Sequence, residues 1–362
     1  MLTFEQAISL FNDDKIRDLA QTADGLRFLK LRSLSRKEHM NCLIEKEHLN
    51  IGDSKSKDWL KILYESAISE NVIDEVIKKL YAAERSEREK CEDALVNELY
   101  KVESFEWGGL YQNSLEKTIV DNYIKKIRSY DSLSEVIEKE LLKSMRAYVL
   151  ASWYNHWSSI IIEDIFKDHE KTLPAVGLIK KVDFFIDGKP FDLKVTYIPE
   201  GYIKDYRKSK KLTPELTLLK KMAKTLEITF NKDAPESFLI PDLWKKLGDH
   251  PDNRATDLIN ELQEHRQKLL SDSVANPKCL VRWLYENQGI RRFDASNRLF
   301  LVLVDKNSFF DSWKLKRAKP LIKKEVNAYL DRKDRNFGFE LDFEWEGKTL
   351  KTESDVIFVI KK

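Results

Sequence analysis

The amino-acid sequence predicts a mixed α/β protein, an α+β arrangement in which a helical N-terminal domain precedes a mixed sheet. Three observations lead to this fold class. Apolar residues recur at helix spacing through the first 145 residues, with little strand signal between them. A long apolar helix then runs from Met145 to about residue 169, and short apolar runs typical of strands follow it. Strands that alternate with helices favour a mixed α/β core.

The chain of 362 residues is long enough for two or three domains. We predict a helical domain over residues 1–145, which serves target reading, dimerisation or partner docking. A second domain is predicted over residues 146–362, with a helical insertion at about 212–292. The change of pattern alone sets this boundary. At the start of the first domain, Thr3 and Gln6 have the spacing of a capping box.

The second domain is predicted to contain several strands after its apolar helix, which ends before Leu173-Pro174. The predicted strands are short, apolar and bounded by turn residues, and they cover residues 176–186, 190–198, 298–304, 339–345 and 355–361. A basic helix is predicted around residues 314–331.

Composition indicates a soluble protein of a reducing compartment. The chain has 3 cysteines, and they are widely separated without a C-x-x-C pair. The N-terminus has acids where a secretory signal has an apolar core, and no apolar run reaches membrane-spanning length. We therefore expect a cytoplasmic location and no membrane partner.

Positive charge is concentrated in two stretches, although the formal net charge is only +2. Residues 204–224 hold eight Lys or Arg against two acids, and residues 306–335 hold ten against four. A single stretch of this kind is usually a solvated helix face, but two of them around a charged hairpin favour a polyanionic partner. The residues predicted to contact nucleic acid are Lys204, Arg207, Lys208, Lys210 and Lys211.

The segment 182–197 places three charged residues in a predicted β-hairpin of otherwise apolar strands. If residues 187–188 form a two-residue turn, the numbers of paired residues sum to 375, and Asp183 lies opposite Asp192. A loop wider by one residue on each side gives a sum of 377 and sets Asp183 opposite Lys194. In both registers the three side chains share one face, because side chains alternate along a strand.

Two carboxylates this close together need a positive group between them. At a separation of about 5 Å and an effective dielectric near 20, they repel by roughly 3 kcal/mol. Lys194 can supply part of the positive charge, and a divalent cation held by carboxylate oxygens can supply the rest. An ordinary surface ion pair on an edge strand, with Asp183 an exposed acid, is the alternative interpretation.

The spacing of these residues resembles a known motif. Asp183, followed after eight residues by Asp192-Leu193-Lys194, is similar to the motif of the PD-(D/E)XK, or restriction-endonuclease-like, nuclease superfamily. The position before the first aspartate, usually proline in that superfamily, is Val182 in this chain. The resemblance implies a restriction-endonuclease-like core in the second domain and leaves the first 145 residues unexplained.

The resemblance also implies a metal site. Asp183, Asp192, an acid from the preceding helix and the carbonyl of Leu193 would hold one or two Mg²⁺ ions, and Mn²⁺ would substitute. Lys194 would position or activate the attacking water. The superfamily pattern of an acid followed by apolar residues favours Glu163 in the run IIIEDIF. The neighbouring Asp164 stays an alternative.

The function implied is phosphodiester hydrolysis by a metal-dependent endonuclease that acts on double-stranded DNA, in restriction or another bacterial antiviral defence. A structure-selective repair or recombination nuclease, an RNase and a non-catalytic DNA-binding subunit with a nuclease-like fold are the alternatives. A second copy of the chain, a methyltransferase or a motor protein are the partners that this function allows. The chain itself has no G-x-x-x-x-G-K-[ST] segment, so no ATP-driven motor is predicted in it.

Overall fold

The computed structural model describes residues 2–34, 36–104, 119–177, 179, 181–287, 297–332, 338–345 and 347–362. Contacts divide the chain into two compact units, which do not follow the sequence order. The first unit comprises residues 1–92, 161–206 and 263–362, and the second comprises residues 93–160 and 207–262. The domain boundary predicted near residue 145 stays a prediction. The helix Leu142–Lys167 runs through that position without a break.

The described elements before residue 145 are helical, as the apolar periodicity predicts. They are α1 (Phe4–Asn12), α2 (Ile16–Ala20), α3 (Ala23–Ser33), α4 (Lys37–Lys46), a 3₁₀ turn (Ser56–Asp58), α5 (Trp59–Glu65), α6 (Glu70–Tyr100), a π-helical turn (Val120–Ile124), α7 (Tyr130–Val136) and a second π-helical turn (Ile137–Leu141). The capping box that starts α1 is confirmed, because the Gln6 N–H donates to the Thr3 side chain and the Gln6 side chain accepts from the Thr3 N–H. Among the described residues, no helix combines the length and the apolar character needed to cross a membrane.

The later helices are α8 (Leu142–Lys167), α9 (Glu200–Ser209), α10 (Glu215–Thr225), α11 (Glu236–Gly248), α12 (Asn253–Ala275), α13 (Pro277–Asn287) and α14 (Lys319–Asp331). The predicted helical insertion at about 212–292 contains α10 to α13. The predicted basic helix at 314–331 divides into two elements, a 3₁₀ helix at Phe309–Arg317 and then α14. Pro320 lies in the first turn of α14, where its missing N–H leaves no helical hydrogen bond unmade.

Six strands of the described residues form one mixed sheet within the first unit. They are β1 (Thr172–Pro174), β2 (Phe184–Ile186), β3 (Lys189–Tyr197), β4 (Asn297–Asp305), β5 (Phe339–Trp345) and β6 (Lys348–Lys361). Their order in the sheet is β1-β2-β3-β4-β6-β5. The pairs β3–β4 and β4–β6 are parallel, whereas the other three pairs are antiparallel.

The strand predicted at 176–186 is the largest departure in this sheet. Only Phe184–Ile186 forms β2, which pairs with β3 on one side and with a separate short strand, β1, on the other. The sequence gives β1 no signal of its own, because Leu173-Pro174 has the composition of a helix stop. Pro174 is tolerated there because β1 is an edge strand.

Both faces of the sheet are covered. On one face Leu193, Leu299 and Ile357 pack with side chains of α8 and α14. On the other face Phe300 and Val302 pack with side chains of α12 and α13. Because β3 and β4 lie in the interior of the sheet and are covered in this way, Asp192 and Arg298 are held in a largely dry environment.

The turn between β2 and β3 is the two-residue form. Asp187 and Gly188 both have positive φ, at 48° and 78°, as a type I′ turn requires. The paired residues are Phe184 with Phe191, Phe185 with Pro190 and Ile186 with Lys189, so the register in which paired numbers sum to 375 is confirmed and the wider loop is wrong.

Candidate active site

Asp183 lies where β2 begins, at the last point of contact with β3. Its N–H donates to the Phe191 carbonyl at 2.8 Å, although Phe191 is already the partner of Phe184. The Asp183 carboxylate also bonds to β3, because its Oδ2 accepts the Leu193 N–H at 2.7 Å in place of a backbone carbonyl. Since regular pairing ends at Phe184, strand parity no longer decides the direction of the Asp183 side chain.

The environment of Asp183 disfavours its charged form. Burial raises the pKa of this carboxyl to about 6, and the nearby charge of Glu163 acts in the same direction. The hydrogen bond from Leu193 opposes the increase in pKa, Asp192 adds to it, and Lys167 opposes it. The Asp183 carboxylate is therefore a site where added positive charge lowers the free energy of the protein.

Asp192 has the opposite environment, because a cation contacts each of its two oxygens. The Lys194 ammonium donates to Oδ1 at 2.9 Å, and Arg298 Nε donates to Oδ2 at 2.9 Å. Asp192 is 6% exposed, so these two partners compensate a charge that would be costly to bury alone. The β3–β4 register creates the second pair, since Arg298 is the direct partner of Asp192 across the parallel strands.

Arg298 is the residue of this site that sequence reasoning missed. Its guanidinium carbon lies 4.9 Å from the centre of the Tyr285 ring, on α13. The Tyr285 hydroxyl is in turn within hydrogen-bond distance of Thr352 and Ser354 on β6, at 3.2 and 2.9 Å. The available signal was an arginine at the start of the apolar run NRLFLVLVD, where a buried charge needs a partner.

The structure separates the two helix acids on α8. Glu163 lies close enough to Asp183 to raise its pKa, and its Oε2 accepts from Lys167 at 3.0 Å. Asp164 is buried against α6, where Arg88 donates to both of its oxygens at 2.9 and 2.8 Å. Of the two candidates, Glu163 is brought to the hairpin, and Asp164 is committed to an ion pair.

The Asp164 pair belongs to a larger polar cluster between α6 and α8. The Tyr81 hydroxyl donates to Asp168 at 2.6 Å and to Asp164 at 3.2 Å, and Arg85 Nε donates to Asp168 at 3.0 Å. Arg85 also pairs with Glu92 at 2.6 Å. Paired charges in this cluster hold α8 against α6, so the cluster helps to set the position of the half-buried Glu163 on the same helix.

The predicted nucleic-acid contacts divide into four exposed residues and one buried residue. Lys204, Lys208, Lys210 and Lys211 are exposed, on α9 and the turn that follows it. Arg207 is 3% exposed, and its Nε donates to the Thr213 carbonyl at 3.0 Å. The structure corrects the expectation for Arg207, because a guanidinium that closes the turn inside the protein does not face a phosphate.

Comparison with known proteins adds no assignment: no family model, no curated protein and no solved structure matches this chain. The chemistry of the site therefore rests on the positions of its own residues.

The oxygen donors near Asp183 have the chemistry of a divalent-cation site, but their present arrangement is incomplete. Within the described ranges, no three His, Cys, Asp or Glu side chains are already arranged around a common point at metal-ligand distances. Carboxylates, whose oxygens suit Mg²⁺, nevertheless influence one another electrostatically at Asp183, Asp192 and Glu163. No described donor reaches Asp183 Oδ1, and Glu163 is near enough for its charge to raise the pKa of Asp183. In a strand the N–H and C=O of one residue point the same way, so the Leu193 carbonyl lies on the side of Asp183.

These donors fit a divalent cation on the condition that Asp192 exchanges one of its present partners. The excess negative charge at Asp183 and Glu163 is the feature that the cation would neutralise. Lys194 is the partner more easily exchanged, since 47% of its side chain is exposed, compared with 9% for Arg298.

The raised pKa of Asp183 predicts a pH-dependent gain in stability for Asp183→Asn. A carboxyl with a folded-state pKa of about 6, above the ordinary value near 4, contributes stability below about pH 4 that is lost as the pH rises through about 6. The amide keeps an acceptor for Leu193 and does not ionise. In EDTA, the variant should gain up to about 3 kcal/mol relative to the unchanged protein between about pH 4 and pH 8.

Urea unfolding at the two pH values measures this difference. Asp187→Asn, an exposed residue in the turn of the same hairpin, is the matched control and should show no pH-dependent difference. An equal effect of Asp183→Asn at both pH values would show that Asp183 ionises normally.

A second prediction separates the two helix acids by stability. Asp164→Asn should lower the free energy of unfolding by about 3 kcal/mol, because one amide oxygen cannot accept both Arg88 bonds and a buried pair is broken. Glu163→Gln, one residue away, should be neutral or slightly stabilising, because it relieves repulsion at Asp183. Chemical denaturation of both variants tests the assignment, which fails if Glu163→Gln is the more destabilised.

Proposed function

We propose that this protein is a metal-dependent phosphodiesterase that cleaves DNA. The observation that carries the proposal is the arrangement at one end of the β2–β3 hairpin. Asp183 lies under the electrostatic influence of both Glu163 and Asp192, and Lys194 contacts Asp192. Three carboxylates and an ammonium on the first unit's sheet and helix are the groups that hydrolysis of a phosphodiester needs.

The resemblance to the PD-(D/E)XK nuclease superfamily supports this proposal at the same residues. The superfamily core that the resemblance implies is a mixed sheet entered from a helix with an acid, in which a hairpin with two acids and a lysine is followed by a central strand. The chain contains these elements as α8, β2–β3 and β4. The proposed fold-level assignment is a restriction-endonuclease-like core within the mixed α/β fold.

Each residue has a distinct proposed role. Asp183, Asp192, Glu163 and the Leu193 carbonyl would hold the cation, which supplies charge neutralisation at the phosphate and an acidified water. Lys194, the exposed cation of the site, orients the attacking water and balances charge on the phosphate. Arg298 orients the Asp192 carboxylate and Lys167 orients the Glu163 carboxylate, each through a hydrogen bond.

DNA is the proposed substrate because of the exposed basic run after the hairpin. Lys204, Lys208, Lys210 and Lys211 present four positive side chains within eight residues of α9 and its turn. Such a run binds phosphates without regard to base sequence. A restriction or antiviral role, with a homodimer, methyltransferase or motor partner, is part of the proposal. Two alternatives keep the same chemistry: an RNase, and a nuclease that acts on structured DNA in repair or recombination.

One observation favours a second candidate, a non-catalytic DNA-binding subunit with a nuclease-like fold. Both oxygens of Asp192 already contact cations, Lys194 and Arg298, so the carboxylate is electrically satisfied without a metal ion. A binding protein that had lost catalysis would keep such a pair for stability.

Metal-dependent cleavage distinguishes these candidates. Purified protein with Mg²⁺ should nick or linearise plasmid DNA, and EDTA should abolish the activity. Asp183→Asn and Glu163→Gln should each lower the single-turnover rate by on the order of 10²-fold or more, as the loss of positioned charged groups does. Parallel incubation with single-stranded RNA identifies the substrate.

Asp187→Asn is the control, because it makes the same chemical change in the same hairpin and asparagine tolerates the left-handed turn. It should cleave at the unchanged rate. Binding of DNA without cleavage under any of Mg²⁺, Mn²⁺ or Co²⁺ would instead assign the protein to the non-catalytic candidate.

The basic run predicts a change in salt dependence. Replacing Lys208, Lys210 and Lys211 by Ala should reduce the slope of log affinity against log salt by up to about three units, at about 0.9 per phosphate on duplex DNA. The effect should be the same on unrelated sequences. A control with Lys55, Lys57 and Lys90 replaced loses the same charge from other exposed positions. Equal slopes for the two triple variants would show that the run is a solvated helix face.

A further inference from the structure

The two cations that contact Asp192 are held very differently. Arg298 is fixed by three separate features of the first unit: its pairing position opposite Asp192, its burial, and the Tyr285 ring beneath its guanidinium. Tyr285 is itself 1% exposed and hydrogen-bonds to β6 through its hydroxyl. Moving Arg298 away from Oδ2 would require the packing between β4, β6 and α13 to change.

Lys194 has none of these constraints. It lies two residues from Asp192 on the same strand, and 47% of its side chain is exposed. A flexible, half-exposed ammonium forms a pair of small net strength, because water competes for both partners. The Oδ1 side of Asp192 is therefore the side at which an incoming cation meets the least resistance.

From this asymmetry we infer that the Lys194 ammonium is a placeholder for the divalent cation, and that Arg298 is a positioning residue that keeps Asp192 turned toward it. The inference rests on the proposed function, since it assumes a cation at Asp183 and Asp192. Cation binding displaces the ammonium from Oδ1, and Lys194 becomes available to the substrate only then. Arg298 stays on Oδ2 throughout, so the carboxylate does not rotate away.

This arrangement couples two requirements of the reaction. Without the cation, Lys194 neutralises Asp192, and the buried carboxylate has no uncompensated charge. With the cation, the same half-exposed lysine would be released from Asp192 and would become available to the substrate. The lysine and the metal ion compete for one oxygen, so removing the lysine must strengthen metal binding even though it removes a group needed for cleavage.

The first measurement is calorimetric titration of Ca²⁺ or Mg²⁺ into the full-length protein without DNA. Lys194→Met should bind the ion about fivefold more tightly, the factor expected when a weak, exposed competing ion pair is removed. Lys189→Met, an equally exposed lysine in the same hairpin, is the control for general charge and should change the affinity by less than about twofold.

The second measurement follows Lys194 directly. The rate of its acylation by a water-soluble reagent, read by peptide mass spectrometry, should rise severalfold at saturating Ca²⁺, and the rate at Lys189 should not change. If Ca²⁺ binds and the reactivity of Lys194 is unchanged or falls, the exchange is wrong and the proposed function is unaffected. A rise in reactivity in a protein that never cleaves nucleic acid would support the exchange and overturn the catalytic proposal.

The role of Arg298 is tested by the sign of its effect. If Arg298 were only a counter-charge, Arg298→Met would tighten ion binding, as Lys194→Met does. As a positioning residue, it should weaken binding by about three- to tenfold, because Asp192 must then be ordered when the ion binds. Arg298→Lys keeps the positive charge, and its affinity for the ion should lie between those of the unchanged protein and Arg298→Met. Tighter binding in both variants would overturn this role, and the absence of any ion binding would overturn the whole inference.

Discussion

The two-residue turn at Asp187-Gly188 is the constraint on which the rest of the site depends. Because both residues adopt positive φ, the register of β2 against β3 has no freedom, and Phe184, Ile186, Phe191 and Leu193 are directed into one core. Asp192 and Lys194 alternate with these apolar residues along β3, so their side chains are directed to the opposite face of the sheet. A shift of one residue would exchange the two sets and place charge in the apolar core.

The neighbouring parallel strand adds the second constraint. The β3–β4 pairing sets Arg298 beside Asp192, and β6 continues the same row with Ser354. The polar row crosses an otherwise apolar sheet and is closed by Tyr285 from α13. In this row the buried charges of Asp192 and Arg298 compensate each other. Asp183 lies where the pairing of β2 with β3 ends, and burial and the nearby acids raise its pKa. The site therefore combines one satisfied and one unsatisfied carboxylate.

This contrast between the two aspartates accounts for the competing functional proposals. A metal-dependent nuclease would make use of Asp183, whose pKa is raised, together with the nearby Glu163, whereas a binding subunit needs only the paired Asp192. The exchange inferred at Lys194 would allow a nuclease to contain the same Asp192 pair, because that pair would stabilise the metal-free protein and would open when a cation binds. Asp164 contributes to the site indirectly, because its ion pair with Arg88 holds α8, and with it Glu163, in place.

The sequence by itself determined the features that depend on local geometry. Turn chemistry at residues 187–188 set the hairpin register, and apolar periodicity predicted the helices before residue 145 and the strands at 190–198, 298–304 and 339–345 to within one residue. These features follow from backbone preferences and side-chain alternation, which act over a few residues.

Only the tertiary structure decided the features that depend on distant partners. The pairing of Asp192 with Arg298 needs two strands separated by about a hundred residues to align, and no local pattern encodes that alignment. The choice between Glu163 and Asp164 depended on α6, which supplies Arg88 to one of them. Arg207 has the same charge as its neighbours in the basic run, and it is buried because the chain turns back over it. Charge is read from sequence, but its compensation depends on which residues the folded chain brings together.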